Sequence, residues 1–104
     1  QSRDFTYIDN VVQANLCAAR AKKTNGEVVN VACAEKITVN EIIAMINEMV
    51  GKNVVPIYAP ARLGDVKHSL ADITAARELI GFEPVVLFRD GLQKAIAWYR
   101  DNWT

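Results

Sequence analysis

Alternation opens the chain. In "RDFTYI" the side chains of Arg3, Phe5 and Tyr7 fall on one side and those of Asp4 and Thr6 on the other, the two-residue period of a strand. The period then lengthens. Val12, Leu16 and Ala19, flanked by Val11, Ala14 and Ala18, make an apolar stripe at helical spacing, with Asp9 or Asn10 placed to cap it through a side-chain oxygen. Lys22 and Lys23 suit the negative end of that helix, and Asn25-Gly26 supplies a turn. "EVVNVACA" is nearly continuous in apolar residues, which predicts a strand covered on both faces, as in a parallel sheet. Thr38 and Glu41 then have the spacing of a capping box, ahead of a stripe of Ile42, Ile43, Ile46, Met49 and Val50 closed by Gly51. "VVPIY" predicts one more short strand, with Pro56 pushing it toward a sheet edge or a strand end. Asp72 caps a short helix ending at Gly81, with Ala76, Leu79 and Ile80 inward and Pro84 barring continuation. A last helix, from about Phe88 to Trp103, carries Leu92, Ile96, Tyr99 and Trp103 on one stripe.

Strands alternating with helices place the chain in the α/β class, with short mixed or parallel strands and about four helices. Its 104 residues form one domain at most, residues 1–104. The strands are few for the number of apolar helix faces, and the first begins with no element before it. The pattern reads as the end of something larger. Half the residues (51%) are apolar and 23% charged, as in a soluble globular chain. Twelve basic residues balance twelve acidic ones and are dispersed, which excludes the clustered positive charge of a nucleic-acid or polybasic membrane surface. No apolar run approaches the roughly 18–20 residues that span a bilayer, and "QSRDFTYID" lacks the layout of a secretion signal, so a cytoplasmic protein is expected. Cys17 and Cys33 sit apart in apolar company and read as buried free thiols; with one His they are too few for a zinc site.

Candidate chemistry concentrates in "APARLGDVKHSLADI", residues 59–73. Gly64 can turn the backbone tightly and bring Arg62 and Asp65 to one side. A guanidinium grips phosphate oxygens through paired donors, and a carboxylate beside it can accept from ribose hydroxyls but would repel a phosphate. The pair therefore suits a sugar-phosphate, while a well-built surface turn is the plainer reading. Arg3 could join Arg62 across a diphosphate, or pair with Asp4 or Asp9. His68 has no visible Asp or nucleophile partner and reads as a surface or hydrogen-bonded structural group. Trp98, Tyr99 and Trp103 read as core or interface anchors. There is no Gly-x-Gly-x-x-Gly, no Walker loop and no Tyr-x-x-x-Lys: Tyr58 is followed at that spacing by Arg62 and Tyr99 by Trp103. No catalytic constellation is assigned.

"SRDFTYIDNVVQAN", "VVNVACAEKITVNEI", "RLGDVKHSLADITAARELIGFEP" and "GLQKAIAWY" together resemble, in order and over nearly the whole chain, the C-terminal part of the extended short-chain dehydrogenases. The likeness is nearest to the nucleotide-sugar 4-epimerases acting on UDP-N-acetylglucosamine or UDP-glucose. It implies the C-terminal part of an extended Rossmann-type fold that binds a UDP-sugar. By position, Arg3 matches the family's diphosphate-contacting arginine of the "RDF-aromatic-V/I-D" block, Arg62 the second diphosphate arginine of "R-x-G-D", and Asp65 the aspartate that holds the ribose. The family's glycine-rich NAD loop and Tyr-x-x-x-Lys pair lie upstream. NAD is thus expected only in a complete enzyme, where it would take hydride from sugar C4 and return it to the opposite face. The chain itself implies no cofactor, no metal and no turnover alone. The missing cofactor half or a full-length homologue, and a second copy of the chain, are the expected protein partners. A stand-alone assembly module, or the same part of a nucleotide-sugar dehydratase, decarboxylase or reductase, are the alternatives. The chain departs from the family at Ala32-Cys33-Ala34, where a glycine or two often follows "NV".

Overall fold

Four helices and a two-stranded antiparallel ribbon make up the structure, a computed structural model that describes residues 1–22 and 24–103. Lys23, assigned above to the end of the first helix, lies outside the described residues. In chain order the elements are β1 (Ser2–Arg3), α1 (Ile8–Arg20), β2 (Ile37–Thr38), α2 (Val39–Val50), α3 (Thr74–Ile80) and α4 (Phe88–Asn102). β1 pairs with β2 in the register Ser2 to Thr38 and Arg3 to Ile37, and Ser2 also bridges His68 in parallel. The α/β class stands, with less sheet than the sequence pattern predicts.

The three expected strands fall short for one physical reason: a strand exists only where a neighbour completes its ladder. The first is cut to two residues, and Phe5 and Tyr7 turn instead onto α4, Phe5 against the Phe88 ring at a centroid distance of 5.4 Å. Gly91 makes room for this approach, since a Cβ there would stand 2.8 Å from that of Tyr7. Residues 27–34 form no strand. Val29 and Val31 pack on the core, whereas Val28 is 93% exposed and no described segment pairs alongside. The expected two-sided cover is one-sided. Residues 54–58 are likewise unpaired, because Val54 is clipped by a side chain: Asn47 Nδ2 donates to its carbonyl (2.9 Å) and Asn47 Oδ1 accepts from its N–H (3.2 Å).

The helices match better at their ends than on their faces. Thr38 and Glu41 form the expected capping box, with Thr38 Oγ1 accepting from the Glu41 amide at 3.0 Å. Gly51 and Gly81 close α2 and α3 in the left-handed region. Asp72 acts just before α3, accepting from the Thr74 amide (2.9 Å) and hydroxyl (2.6 Å), bonds that hold its carboxyl below the usual range. Of the expected α1 face only Ala14 is buried. Val11, Val12, Leu16, Ala18 and Ala19 are exposed, and Asn10 and Ala14 are the residues the helix buries. A seam of small residues lets α1 approach α3 closely, Ala14 and Ala76 sharing one core cluster with Ala32, Ile73 and Phe82. Ile46 and Leu79 also lie outside, as do Trp98, Tyr99 and Trp103, which form an edge-to-face aromatic ladder rather than core anchors.

Asn10 is not the cap of α1. Tyr7 takes the N-cap position without a side-chain bond, and Asn10 sits fully buried one turn inside. Its Oδ1 accepts from the Val85 and Val86 amides (2.8 and 3.0 Å), and its Nδ2 donates to the Val86 carbonyl (2.6 Å) and to Cys33 Sγ (3.3 Å). Glu35 reaches forward to accept from the Phe88 amide at 3.0 Å, capping α4 from a distant part of the chain.

At the departure from the family pattern, Ala34 has φ of +57°, a left-handed conformation that an L side chain adopts at a cost. Ala34→Gly is expected to stabilise the fold by about 0.5–1 kcal/mol, the relief of strain less the added chain entropy. Urea unfolding would read this as a higher midpoint at unchanged slope.

Candidate functional site

From Lys52 to Asp72 the chain forms no helix and no named strand, and residues 51–70 are exposed throughout except for half-buried Pro56. An excursion of this length without structure of its own is uncommon in a small domain and is a frequent carrier of binding residues. It is tied at one end by Asn47 to Val54. At the other, the Ser2 amide donates to the Lys67 carbonyl (2.9 Å) and the Ser69 amide to the Ser2 carbonyl (3.1 Å).

The Arg62 to Asp65 turn lies between these ties. Gly64 takes φ of +87°, the Asp65 amide donates to the Arg62 carbonyl at 3.3 Å, and Arg62 Nε donates to Asp65 Oδ2 at 2.9 Å. The side chain of Arg62 is 85% exposed and that of Asp65 30%. An exposed pair of this kind contributes at most about 1 kcal/mol to folding, so its effect is on orientation. Among the described residues only one of the five guanidinium N–H donors is used, and Asp65 keeps Oδ1 as an acceptor. The structure adds an ion pair to the plainer reading of a surface turn, and that reading and the binding one describe one geometry.

Arg3 is brought to the same end of the excursion. Its Nη1 donates to the Ser2 carbonyl (2.7 Å) and lies 3.4 Å from the carbonyl of Lys67, two residues past Asp65. Neither expected carboxylate partner pairs with it. Asp4 Oδ1 accepts from the Cys33 amide at 3.0 Å, and Asp9 faces Lys94 at 3.9 Å. Among the described residues Arg3 bonds carbonyls alone and makes no hydrogen bond or ion pair with Arg62 or Asp65.

His68 has a partner that sequence reading missed. Its Nδ1 lies 2.7 Å from Oγ of Ser2, a residue with no exposed surface and separated from it by most of the chain. A small hydroxyl at the head of a strand carries no periodicity signal, so nothing in the pattern marked Ser2. Desolvation first, then the charges of Lys36, the terminal amine, Lys67 and Arg3, lower the His68 pKa from its ordinary value of 6.5. Its neutral form is therefore favoured in the fold. Cys33 moves the other way: burial, then the carboxylates of Asp4 and Glu35, push its thiol up, so it is a poor nucleophile. Cys17 and Cys33 are both free thiols, Cys33 buried and Cys17 half-buried.

Two other chemistries find no support. Among the described residues no three His, Cys, Asp or Glu side chains gather as metal ligands. The residues present do not fit NAD. Gly51 and Gly81 terminate helices, Gly26 and Gly64 lie in turns, and none opens a helix behind a strand to receive a pyrophosphate. No described helix is long and apolar enough to cross a membrane.

No family model matches the sequence. The chain is 32% identical over 103 residues to a UDP-glucuronate 4-epimerase of Thermodesulfobacterium geofontis, covering 98% of itself and 31% of that protein. A solved structure of UDP-glucose 4-epimerase with UDP-glucose from Thermotoga maritima superposes with a TM-score of 0.89 at 36% identity, over 99% of this chain and 33% of that one. A UDP-N-acetyl-alpha-D-glucosaminuronate decarboxylase of Bacillus cytotoxicus is 26% identical over 107 residues, 97% of this chain and 33% of that protein. The chain thus spans about a third of the length of the relatives it matches.

Proposed function

We infer, on the premise that the chain is homologous from end to end to about a third of the NAD-dependent UDP-sugar epimerases of the short-chain dehydrogenase type, that it is the UDP-sugar-binding portion of such an enzyme. The observation that carries this reading is the Arg62–Asp65 turn on Gly64, tied through residues 67–69 to the strand that bears Arg3. Arg62, oriented by Asp65, offers its unused guanidinium donors to the diphosphate. Arg3, held by carbonyls and unpaired with any described carboxylate, supplies the second positive charge. Asp65 Oδ1 accepts from the ribose hydroxyls.

The hydride and proton transfers at sugar C4 belong to the complete enzyme, whose NAD-binding part would also cover the exposed side of residues 27–31. The decarboxylase relative leaves the reaction type open between epimerase and a sister activity of the same fold. A second reading, a module retained for assembly, is favoured by the exposed stripe of Ile8, Val12 and Leu16. A second copy of the chain would be its natural partner.

Calorimetry with UDP-N-acetylglucosamine and UDP, against UMP as control, tests the clamp. Binding of both diphosphate ligands and not of UMP is expected. Arg62→Ala should weaken UDP about 10-fold to 100-fold, the loss of a charge-assisted phosphate contact worth about 1.5–3 kcal/mol, and Arg3→Ala should do likewise. Equal affinity in both variants would remove the assignment.

A further inference from the structure

Ser2 is the most heavily committed small residue in the fold. It is fully buried, its Cα pairs with Thr38 on β2, its amide and carbonyl bond Lys67 and Ser69, and its hydroxyl bonds the imidazole of the residue between them. Three interactions thus converge on one three-residue segment. That segment begins two residues beyond Asp65 and supplies the Lys67 carbonyl 3.4 Å from Arg3. Upstream of the Arg62–Asp65 turn, the nearest described tie is at Val54. The position of the turn relative to Arg3 is therefore set mainly from the Ser2 side.

We propose that the Ser2–His68 hydrogen bond is a lock that positions Arg3 against the Arg62–Asp65 turn, with His68 acting as a positioning residue for diphosphate binding. The proposal rests on the binding role inferred above for that turn, and it adds a residue that makes no contact with ligand. In the locked form Ser2 Oγ–H donates to an unprotonated Nδ1, leaving the imidazole proton on Nε2. Protonation of Nδ1 turns it into a donor. The Ser2 hydroxyl must then reverse and give up, as donor, the one hydrogen bond its oxygen makes among the described residues. The new cation would also face Arg3 on β1, Lys36 ahead of β2, and its neighbour Lys67, every one of them positive.

The direction of the pH effect follows. A folded-state pKa below the ordinary 6.5 means the unfolded chain takes up the proton first, so the lock contributes fully above about pH 6.5 and is lost as pH falls through the folded-state pKa. Asn at this position keeps an acceptor oxygen near the place of Nδ1 and does not titrate. Leucine removes the acceptor.

Two readouts separate the lock from the clamp. In the free protein, amide spectra recorded from about pH 8 to about pH 5 should show Ser2, Arg3, Lys67 and Ser69 moving together, with one midpoint below the ordinary histidine value. Nitrogen shifts of His68 should report the Nε2–H tautomer above it. In His68→Asn the four amides should lose that shared transition. With UDP as probe, His68→Leu should weaken binding about tenfold at neutral pH, the scale of one lost, partly buried hydrogen bond, and Ser2→Ala should match it. His68→Asn should bind within about twofold of wild type and lose the acid-side decline. Amides that stay still while the His68 ring titrates would overturn the lock. UDP binding equally strong in wild type and His68→Leu would overturn its positioning role while leaving the clamp intact. UDP that binds no form of the chain, with the amides behaving as described, would instead sink the clamp, and with it the purpose assigned to the lock.

Discussion

Replacing Asn10 with alanine is expected to cost about 3 kcal/mol or more, the largest effect of any polar substitution in the chain. The side chain closes four interactions at once, and two of the groups it satisfies, the Val86 amide and carbonyl, are buried. Losing Asn10 leaves the Val86 amide without its acceptor, at about 1–3 kcal/mol, and its carbonyl with only the long Cys33 Sγ contact at 3.9 Å, while the packing of a fully buried side chain goes too. Aspartate is a sharper probe. It keeps the acceptor for Val85 and Val86 but loses the Nδ2 donor, and it sets a carboxylate against the Val86 carbonyl at 2.6 Å, so it should be no better than alanine. Circular dichroism through a thermal melt would show both variants falling by roughly 10–20 °C. A variant melting with the wild type would mean that residues 85–86 are held by something else.

Phe82→Ala should be of the same order or larger. Phe82 is the one large aromatic ring with no exposed surface, and the buried members of its cluster are mostly small: Ala14, Ala32 and Ala76, with Ile73 beside them and Val29, Val31, Ala71 and Ile80 at the margin. Such neighbours have little side chain with which to fill a void. The loss should sit toward the upper part of the usual range for a buried phenylalanine, about 3–5 kcal/mol. A domain of this length has total stability of about 5–15 kcal/mol, and this core is small, so the variant should be largely unfolded at 37 °C. Phe82→Leu, which keeps much of the volume, should recover most of the loss. Denaturant titration of both variants separates the cavity from a general sensitivity of this region.

Helix ends were legible because they are local. Thr38-x-x-Glu41, Gly51 and Gly81 solve hydrogen-bond problems within one turn, and the sequence window contains the whole solution. Helix faces were less so. The stripe of Val12, Leu16 and Ala19 is more apolar than the seam of Asn10 and Ala14, and periodicity follows apolarity; the core selected the face that could come closest. Asn10 misled for the same reason, its residue type suiting a cap and its environment making it an interior clamp. The segment 27–34 has the composition of a strand but, among the described residues, no neighbour to make it one. At the candidate site, the partnership of Arg62 with Asp65 could be read from three residues and a glycine. That of Ser2 with His68 could not, since it is made by a chain crossing and by no pattern along the sequence.

The excursion between Val54 and Lys67 is fastened at both ends and touches little in between. Closing such a loop costs entropy that grows only with the logarithm of its length, so adding or removing a few residues there changes stability by a few tenths of a kcal/mol. The reach of the guanidinium is thus an independent variable. A protein built this way can fit its grip to a longer or shorter ligand by insertion and deletion, with the helices and their small core left as they are.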